Sequence, residues 1–375
     1  MQNDYRPEIG STISIAKSAF DVLLANLKAH DYVVMGPRVQ NETLVYGPID
    51  SLENLPRGYV TEQEAGRFRL VYTGHSRYFD VIPGADSWKK FLFPSHTELL
   101  SLRKVSGEWK VDPIESRPPA YAFVGVRGCE LSAIQIQDAA FLRPDFSDPI
   151  YRAGREQAFI LSVNCMHPAG TCFCMSMGTG PTVKRGFDLN LTELEDVFLL
   201  EIGSGLGLSV ISNLPYEAAS AFRLDAASRL LELASRWMGR ELDTSDLPDL
   251  LLNHLENPHW KEVAERCLSC TNCTQVCPTC FCWDAVDTIS LDGNETHRER
   301  VWDSCFNLGY SYQAGGNARP TIQSRYRQWL THKLGTWKQQ YGTFGCVGCG
   351  RCITWCPAAI DITVEVRALR EEANR

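Results

Sequence analysis

Two runs of cysteine residues in the last third of the sequence have the same spacing. In each run, intervals of two, two and three residues separate four cysteines, and a proline follows the last one. The runs are Cys267, Cys270, Cys273 and Cys277 before Pro278, and Cys346, Cys349, Cys352 and Cys356 before Pro357. This spacing is typical of thiolates that bind cubane iron–sulfur clusters. The sequence therefore predicts two [4Fe–4S] clusters.

The fourth cysteine of each run is expected to cross over to the other cluster. In ferredoxins with two cubes, three closely spaced thiolates hold one cluster and the cysteine before the proline binds the second. The predicted ligands of cluster 1 are Cys267, Cys270, Cys273 and Cys356. The predicted ligands of cluster 2 are Cys346, Cys349, Cys352 and Cys277.

Zinc and disulfides are the alternatives to iron for these thiols. Structural zinc usually takes its ligands as two separated pairs, which two complete runs of four do not resemble. Disulfides belong to secreted proteins, and the polar stretch at residues 1–10 is unlike a secretory signal. Fifteen cysteines in a chain expected in the cytoplasm indicate metal binding.

Four more cysteines follow predicted strands in the middle of the chain. Cys129 comes directly after the apolar stretch at residues 121–126, and Cys165 comes after the stretch at residues 159–163. Cys172 and Cys174 lie in the loop that follows Cys165. Loops at strand ends often carry ligands, so these four residues are candidates for a third cluster. The alternative is that they are small buried hydrophobic side chains, and the sequence leaves both interpretations open.

The tetrapeptide Thr-Cys-Phe-Cys occurs twice, at residues 171–174 and at residues 279–282. The second copy follows the first ferredoxin-type run directly. Its cysteines Cys280 and Cys282, together with Cys305, are additional thiols that could complete the third set or form a separate site.

Composition and charge limit the function further. A hydrophobic fraction of 44% is ordinary for a globular protein, and no apolar run reaches the roughly 20 residues of a membrane helix. The formal charge of −8 argues against a nucleic-acid surface, which would be basic. Residues 203–207 are glycine-rich, but they lack the third glycine of a dinucleotide fingerprint. We expect a hairpin turn there, with residues 208–211 as a strand.

The predicted fold is α+β, with mixed helices and strands in the first two-thirds and a ferredoxin-like domain for two clusters at the end. Three regions are expected, at residues 1–118, 119–250 and 251–375, with a proline-rich joint at residues 116–119. The last region contains a large insert at residues 278–345 between the cysteine runs, which we expect to be helical. Residues 360–366 are predicted to form a strand.

Several motifs together resemble one known family. They are RGCELSAI at residues 127–134, NCMHPAGTCFCMSMGTGP at 164–181, CLSCTNCTQVCPTCFCWD at 267–284, RVWDSC at 300–305 and FGCVGCGRCITWCP at 344–357. The combination resembles the iron–sulfur beta subunit of cytoplasmic NAD(P)-linked nickel–iron hydrogenases, the sulfhydrogenases. The electron-transfer subunit of anaerobic sulfite reductase is similar.

The resemblance implies an electron-transfer subunit of an oxidoreductase complex, without a substrate site of its own. Its partners would be a subunit that binds FAD and NAD(P) and the small and large subunits of a hydrogenase. The first alternative is the same role in a sirohaem sulfite reductase. The second is a self-contained iron–sulfur enzyme, although no acid–base or nucleophile constellation supports one.

Overall fold

Sixteen strands and thirteen helices make up the computed structural model, which describes residues 5–82, 84–112 and 118–373. The strands are β1 (Thr12–Ala16), β2 (Val33–Gln40), β3 (Thr43–Pro48), β4 (Tyr59–Glu64), β5 (Arg67–Tyr72), β6 (His96–Val105), β7 (Glu108–Asp112), β8 (Tyr121–Arg127), β9 (Phe159–Val163), β10 (Leu189–Glu193), β11 (Val197–Ile202), β12 (Glu217–Ala218), β13 (Trp283–Ile289), β14 (Glu295–Trp302), β15 (Tyr312–Gln313) and β16 (Gly316–Asn317). The helices are α1 (Phe20–Ala29), α2 (Lys89–Leu92), α3 (Gly128–Phe141), α4 (Pro149–Glu156), α5 (Gly205–Val210), α6 (Ala221–Arg236), α7 (Leu247–Asn253), α8 (His259–Arg266), α9 (Asn272–Gln275), α10 (Ile322–Thr331), α11 (Trp337–Tyr341), α12 (Arg351–Thr354) and α13 (Ile362–Ala373).

An eight-stranded mixed sheet is the largest unit, with strand order β12-β1-β11-β10-β9-β8-β2-β3. The central strands β10, β9, β8 and β2 run parallel, and the outer pairs are antiparallel. Because β8 and β9 are neighbours with the same direction, the loops after their carboxyl ends lie at one edge of the sheet. Cys129 and Cys165 are in those two loops, so the topology brings them to the same place.

Helices cover both faces of this sheet. On β8, Val124 packs in the same apolar cluster as α1, whereas Phe123 points to the opposite face and packs with α3. Such alternation follows from the two-residue period of a strand. Because both faces of the sheet are buried against helices, the sheet edge that carries Cys129 is held rigidly in place.

The C-terminal region surrounds the two cysteine runs with aromatic helices. Side chains of α8, α10 and α13, including Trp260, Trp329 and Val366, form one buried cluster against the cysteine loops. The mixed α and β content confirms the predicted α+β fold class. In the insert, however, the first part is the hairpin β13–β14, which adds to β6 and β7 to make a four-stranded sheet. Helices α10 and α11 occupy only the end of the insert.

Two local predictions were wrong. Residues 360–366 belong mostly to helix α13, because Ile362, Val366 and Leu369 share one helical face that is buried in the C-terminal cluster. Residues 205–210 form the short helix α5 and not a hairpin, since the Ser204 hydroxyl caps it by accepting from Gly207 N at 3.1 Å.

The predicted joint at residues 116–119 lies partly outside the described residues. Strands from both sides of it pair in the large sheet, with Val33 of β2 opposite Tyr121 of β8. The first two predicted regions therefore share one sheet. Across the described ranges, the helices are all too short or too polar to cross a membrane.

Candidate iron–sulfur sites

The first cysteine run surrounds a cavity together with the last cysteine of the second run. Cys267 follows helix α8, and the chain then turns through left-handed conformations at Ser269 and Thr271 before the short helix α9. The cavity is lined by Cys267, Cys270, Cys273 and Cys356, and Cys352 also contributes to its wall. The structure therefore brings together the four thiols predicted for cluster 1.

The second cysteine run has the same local geometry. Gly348 and Gly350 have φ angles of 66° and 74°, the left-handed region that favours glycine, and helix α12 follows. Backbone N–H groups point at the sulfurs in both runs. Gly348 N donates to Cys346 Sγ at 3.4 Å, and Ser269 N donates to Cys267 Sγ at 3.4 Å. Amides in this position stabilise thiolates and tune a bound cluster.

Cys277, the last cysteine of the first run, lies beside the second run. The electrostatic neighbours of the buried Cys352 thiol include Cys346, Cys349 and Cys277. The Cys277 Sγ accepts from Lys333 Nζ at 3.2 Å, and it lies 3.1 Å from Thr279 Oγ1. These positions agree with the crossed ligand set predicted for cluster 2, and the ligand assignment itself stays a prediction.

The four mid-chain cysteines line a third cavity at the edge of the large sheet. Cys129 is in the first turn of α3, Cys165 follows β9, and the loop beyond supplies Cys172 and Cys174. Arg127 and Pro181 complete the wall on this side. Cys349 of the second run also lines this cavity. The third predicted site and the second cluster loop are thus direct neighbours.

Main-chain contacts hold this third site against the second cysteine loop. Phe173 N donates to Gly348 O at 2.8 Å, and the Thr179 hydroxyl donates to Val347 O at 2.6 Å. A Cβ at Gly348 would lie 2.6 Å from the Phe173 carbonyl carbon, and one at Gly350 would lie 2.4 Å from Thr171 O. Glycine at these positions allows the two loops to touch.

A buried ion pair also ties the third cavity to the second loop. Arg351 Nη2 donates to Glu130 Oε1 at 2.6 Å, and both side chains are at most 3% exposed. The same carboxylate accepts from the Tyr46 hydroxyl at 2.8 Å and from Trp88 Nε1 at 3.2 Å. Burial and the Glu130 charge hold the pKa of Tyr46 well above its ordinary value, so its hydroxyl remains a donor.

The arrangement of the thiols suits clusters better than single metal ions. A tetrahedral zinc site would place its sulfurs about 3.8 Å apart, given its metal–sulfur distance. Among the described residues, the one group of three Cys, His, Asp or Glu ligands within 4.8 Å of one another is His259, Glu262 and Glu372. The cysteines surround their cavities more widely than that, as a four-iron cube with one thiolate on each iron requires.

Comparison with known proteins agrees with this chemistry. A family model described as a 4Fe–4S dicluster domain matches residues 266–360. The sulfhydrogenase 2 subunit beta of Pyrococcus furiosus is 35% identical over 254 residues, which cover 67% of this chain and 74% of that one. This chain belongs to the sulfhydrogenase beta-subunit family. No solved structure matches it.

Membership of this family makes the chain an iron–sulfur electron-transfer subunit of a hydrogenase. Three of the four cysteines at the third cavity are buried, and Cys129 is partly buried. Burial raises the pKa of the Cys172 thiol to about 12, and in the second loop burial raises the pKa of Cys346 to about 12. Such thiols keep their protons at neutral pH, so a metal must displace those protons when it binds.

Two buried lysines of this beta subunit lie beside Cys277 and Cys280. Burial opposes the charge of Lys333, but the neighbouring Cys277 and Cys280 hold its pKa well above the ordinary value. Lys89 donates to Cys280 O at 3.2 Å and lies 3.7 Å above the Trp302 ring. Burial lowers its pKa to about 8, although the same cysteines act in the opposite direction. The sequence contains no signal that identifies either lysine.

We expect Lys333→Met to lower the midpoint potential of the second cluster. A cation beside Cys277 stabilises the more negative, reduced state, and its loss removes about 1–4 kcal/mol of attraction, or about 40–170 mV for a one-electron step. Potentiometric titration followed by EPR measures the change. The control is Lys338→Met. Lys338 is an exposed residue of helix α11, and its ammonium group lies over the Phe344 ring. Equal potentials in the two variants would contradict the assignment of Lys333 to this cluster.

The additional cysteines do not complete the third set. Cys280, Cys282 and Cys305 line a different cavity, whose wall includes Lys333. Cys129, Cys165, Cys172 and Cys174 thus stand together without them. Of the two interpretations left open by the sequence for these three thiols, the structure favours a separate site.

Proposed function

We propose that this chain binds three [4Fe–4S] clusters in a row and relays electrons between a subunit that binds FAD and NAD(P) and the small and large subunits of a hydrogenase. The clusters would be held by the two crossed sets and by Cys129, Cys165, Cys172 and Cys174. The complex is expected in the cytoplasm. This proposal is finer than family membership alone, which gives an electron-transfer subunit.

The observation that carries the proposal is that neighbouring cavities share cysteines. Cys349 belongs to the second set and lines the third cavity. Cys352 also belongs to the second set and lines the first cavity. The second site is therefore in contact with both others, which supports an order of third, second and first. A bound cubane accepts and returns single electrons at a potential set by charge, hydrogen bonds and exposure.

The protein insulates the middle of this path and exposes one end. Cys277 is buried, and both Phe173, which contacts the second loop, and Ile353, which is part of it, are 0% exposed. Cys270 is exposed at the first site, and the neighbouring Leu268 is 66% exposed. An apolar side chain beside an exposed ligand is suitable for contact with a partner protein. We infer that electrons enter or leave near Cys270.

Purification of the native complex tests the identity of the partners. We expect the chain to copurify with a flavoprotein and with nickel, in one particle that forms hydrogen from NAD(P)H. Copurification with sirohaem and without nickel would replace the hydrogenase with a sulfite reductase. The isolated chain should turn over neither substrate, and turnover by it alone would contradict a relay role.

Removal of two thiols tests the third cluster. We expect Cys165→Ala/Cys172→Ala to lose about four irons and four sulfides per full-length chain, since a cubane cannot be held by the two thiols that remain. Iron and acid-labile sulfide are measured on anaerobically purified protein. Met166→Leu alters a buried neighbour of Cys165 without removing a thiol and should keep all of its iron. Equal iron in both variants would leave this cavity without a cluster.

A further inference from the structure

Cys280, Cys282 and Cys305 line a cavity of about 300 Å³ that is separate from the three sites above. The Cys282 sulfur lies next to Cys305 and to the Tyr310 hydroxyl. The rest of the wall is largely aromatic, with Trp329, Trp337 and His332. A cavity of this size is at the lower end of the range for small-molecule and cofactor sites.

The repeated tetrapeptide places its cysteines in the same way in both copies. Thr171 and Thr279 are each 0% exposed, and each fixes its copy to the second cluster region. The Thr171 hydroxyl lies 2.8 Å from the Thr354 hydroxyl, and the Thr279 hydroxyl donates to Gly345 O at 2.7 Å. The two cysteines after each threonine line one cavity, the third site for the first copy and the additional cavity for the second.

Each copy also receives thiols from outside the tetrapeptide. Cys129 and Cys165 join the first copy at the third site. Cys305, at the end of the hairpin β13–β14, joins the second copy. The additional cavity therefore has one protein thiol fewer than the third site.

Buried cations indicate that negative charge is present at this cavity. Lys89 and Lys333 are 3% and 5% exposed. In the part of the chain that the structure describes, the lysines with a carboxylate within 4.0 Å are Lys17, Lys28 and Lys90. A buried ammonium group needs an anionic partner. The partners of Lys333 are a thiol, a hydroxyl and a carbonyl oxygen, and those of Lys89 are carbonyl oxygens and an aromatic ring. Metal-bound thiolates would supply the missing charge.

We propose that Cys280, Cys282 and Cys305 bind a fourth iron–sulfur cluster, a [4Fe–4S] cube with three protein thiolates. The fourth iron faces the open cavity, where an exchangeable small ligand completes its coordination. The Cys280 sulfur lies next to the Cys277 sulfur, to which Lys333 donates, so this cluster adjoins the second one. Cys305 is also an electrostatic neighbour of Cys273, so the site adjoins the first cluster as well. The fourth cluster is thus a branch from the row of three.

Iron analysis of the full-length chain tests the proposal without any partner protein. We expect about sixteen irons and sixteen sulfides in the anaerobically purified wild type and about twelve in Cys282→Ala/Cys305→Ala, by the count of four per cube. Trp283→Phe, which alters the same cavity wall and keeps its thiols, should retain all sixteen. An iron content that is the same in the double variant and the wild type overturns the proposal.

The open iron position has its own readout. Cyanide added to the reduced wild-type chain should change the EPR signal of one cluster and leave the clusters with four thiolates unaltered. Cys305→Ala should lack the cyanide-sensitive signal while it keeps the others. If Cys282→Ala/Cys305→Ala misfolds and loses more than four irons, the cyanide-sensitive EPR signal of the wild type still tests the proposal. A wild-type EPR spectrum that cyanide does not change overturns the proposal. A failure of the three-cluster relay would instead appear in the iron content of Cys165→Ala/Cys172→Ala.

Discussion

Replacement of Cys349 with alanine is expected to reduce hydrogen formation from NAD(P)H by the assembled complex at least about 100-fold. Cys349 is one of the proposed ligands of the second cluster, and the residue also lines the third cavity. Its loss removes a ligand from the middle of the proposed row and opens the wall between two sites. Electrons would then have no path from one end of the chain to the other.

A second assay distinguishes a defect in this chain from a defect in its partner subunits. Hydrogen oxidation with an artificial dye, which the hydrogenase subunits can reduce directly, should keep its rate in Cys349→Ala. Phe222→Ala, in helix α6, removes an exposed side chain and no thiol, and we expect near wild-type rates in both assays. An unchanged NAD(P)H-driven rate, in protein shown to have lost the cluster, would exclude the second site from the path.

A large loss of stability against urea is expected from Arg351→Met. Arg351 and Glu130 are 3% and 1% exposed, and removal of the arginine leaves a buried carboxylate with only neutral donors. Loss of one partner from a buried pair costs about 3–5 kcal/mol. We expect the urea midpoint of unfolding to fall accordingly, and the third cavity to lose iron first because Glu130 follows Cys129 directly.

Arg103→Met is the matched control for this experiment. Arg103 pairs with Asp112 at 2.7 Å, but the two side chains are 55% and 34% exposed. A surface pair of this kind contributes about 0–1 kcal/mol. Similar unfolding midpoints in Arg351→Met and Arg103→Met would show that the buried pair does not hold the two regions together.

The cysteine runs could be interpreted from sequence because their ligand spacing is local. Cys267, Cys270 and Cys273 lie on one tight loop, so their chemistry needs no knowledge of the remaining fold. The third set required one more step. Two of its cysteines follow parallel strands, and adjacent parallel strands end at the same edge of a sheet.

The partners that join distant parts of the chain could not be predicted. Glu130 and Arg351 are 221 residues apart, and nothing in the spacing of either indicates the other. Lys333 lies in a helical segment whose basic residues are ordinary for a solvated surface, yet it is 5% exposed. Burial of a charge depends on tertiary packing, which a single sequence does not display.

Local pattern was also ambiguous at residues 360–366. Its alternation of apolar and polar residues is compatible with a strand, and β-branched residues favour one. Ile362, Val366 and Leu369 also match a helical face, and the apolar helices around the cysteine loops provide a surface that buries this face. The short segment matches the two-residue period of a strand and the 3.6-residue period of a helix equally well, and tertiary packing selects the helix.

The second cysteine loop is completed by residues made much earlier on the ribosome. Thr354 donates to Gln63 across 291 residues, Arg351 Nε donates to Gly84 O across 267, and Phe173 N donates to Gly348 O. A chain synthesised from its N-terminus presents those early groups long before the loop emerges. Iron can therefore be enclosed there only after the chain as far as this loop has been made and has folded. A chain that stops before this loop would have the early residues in place and no second set of thiols for them to enclose.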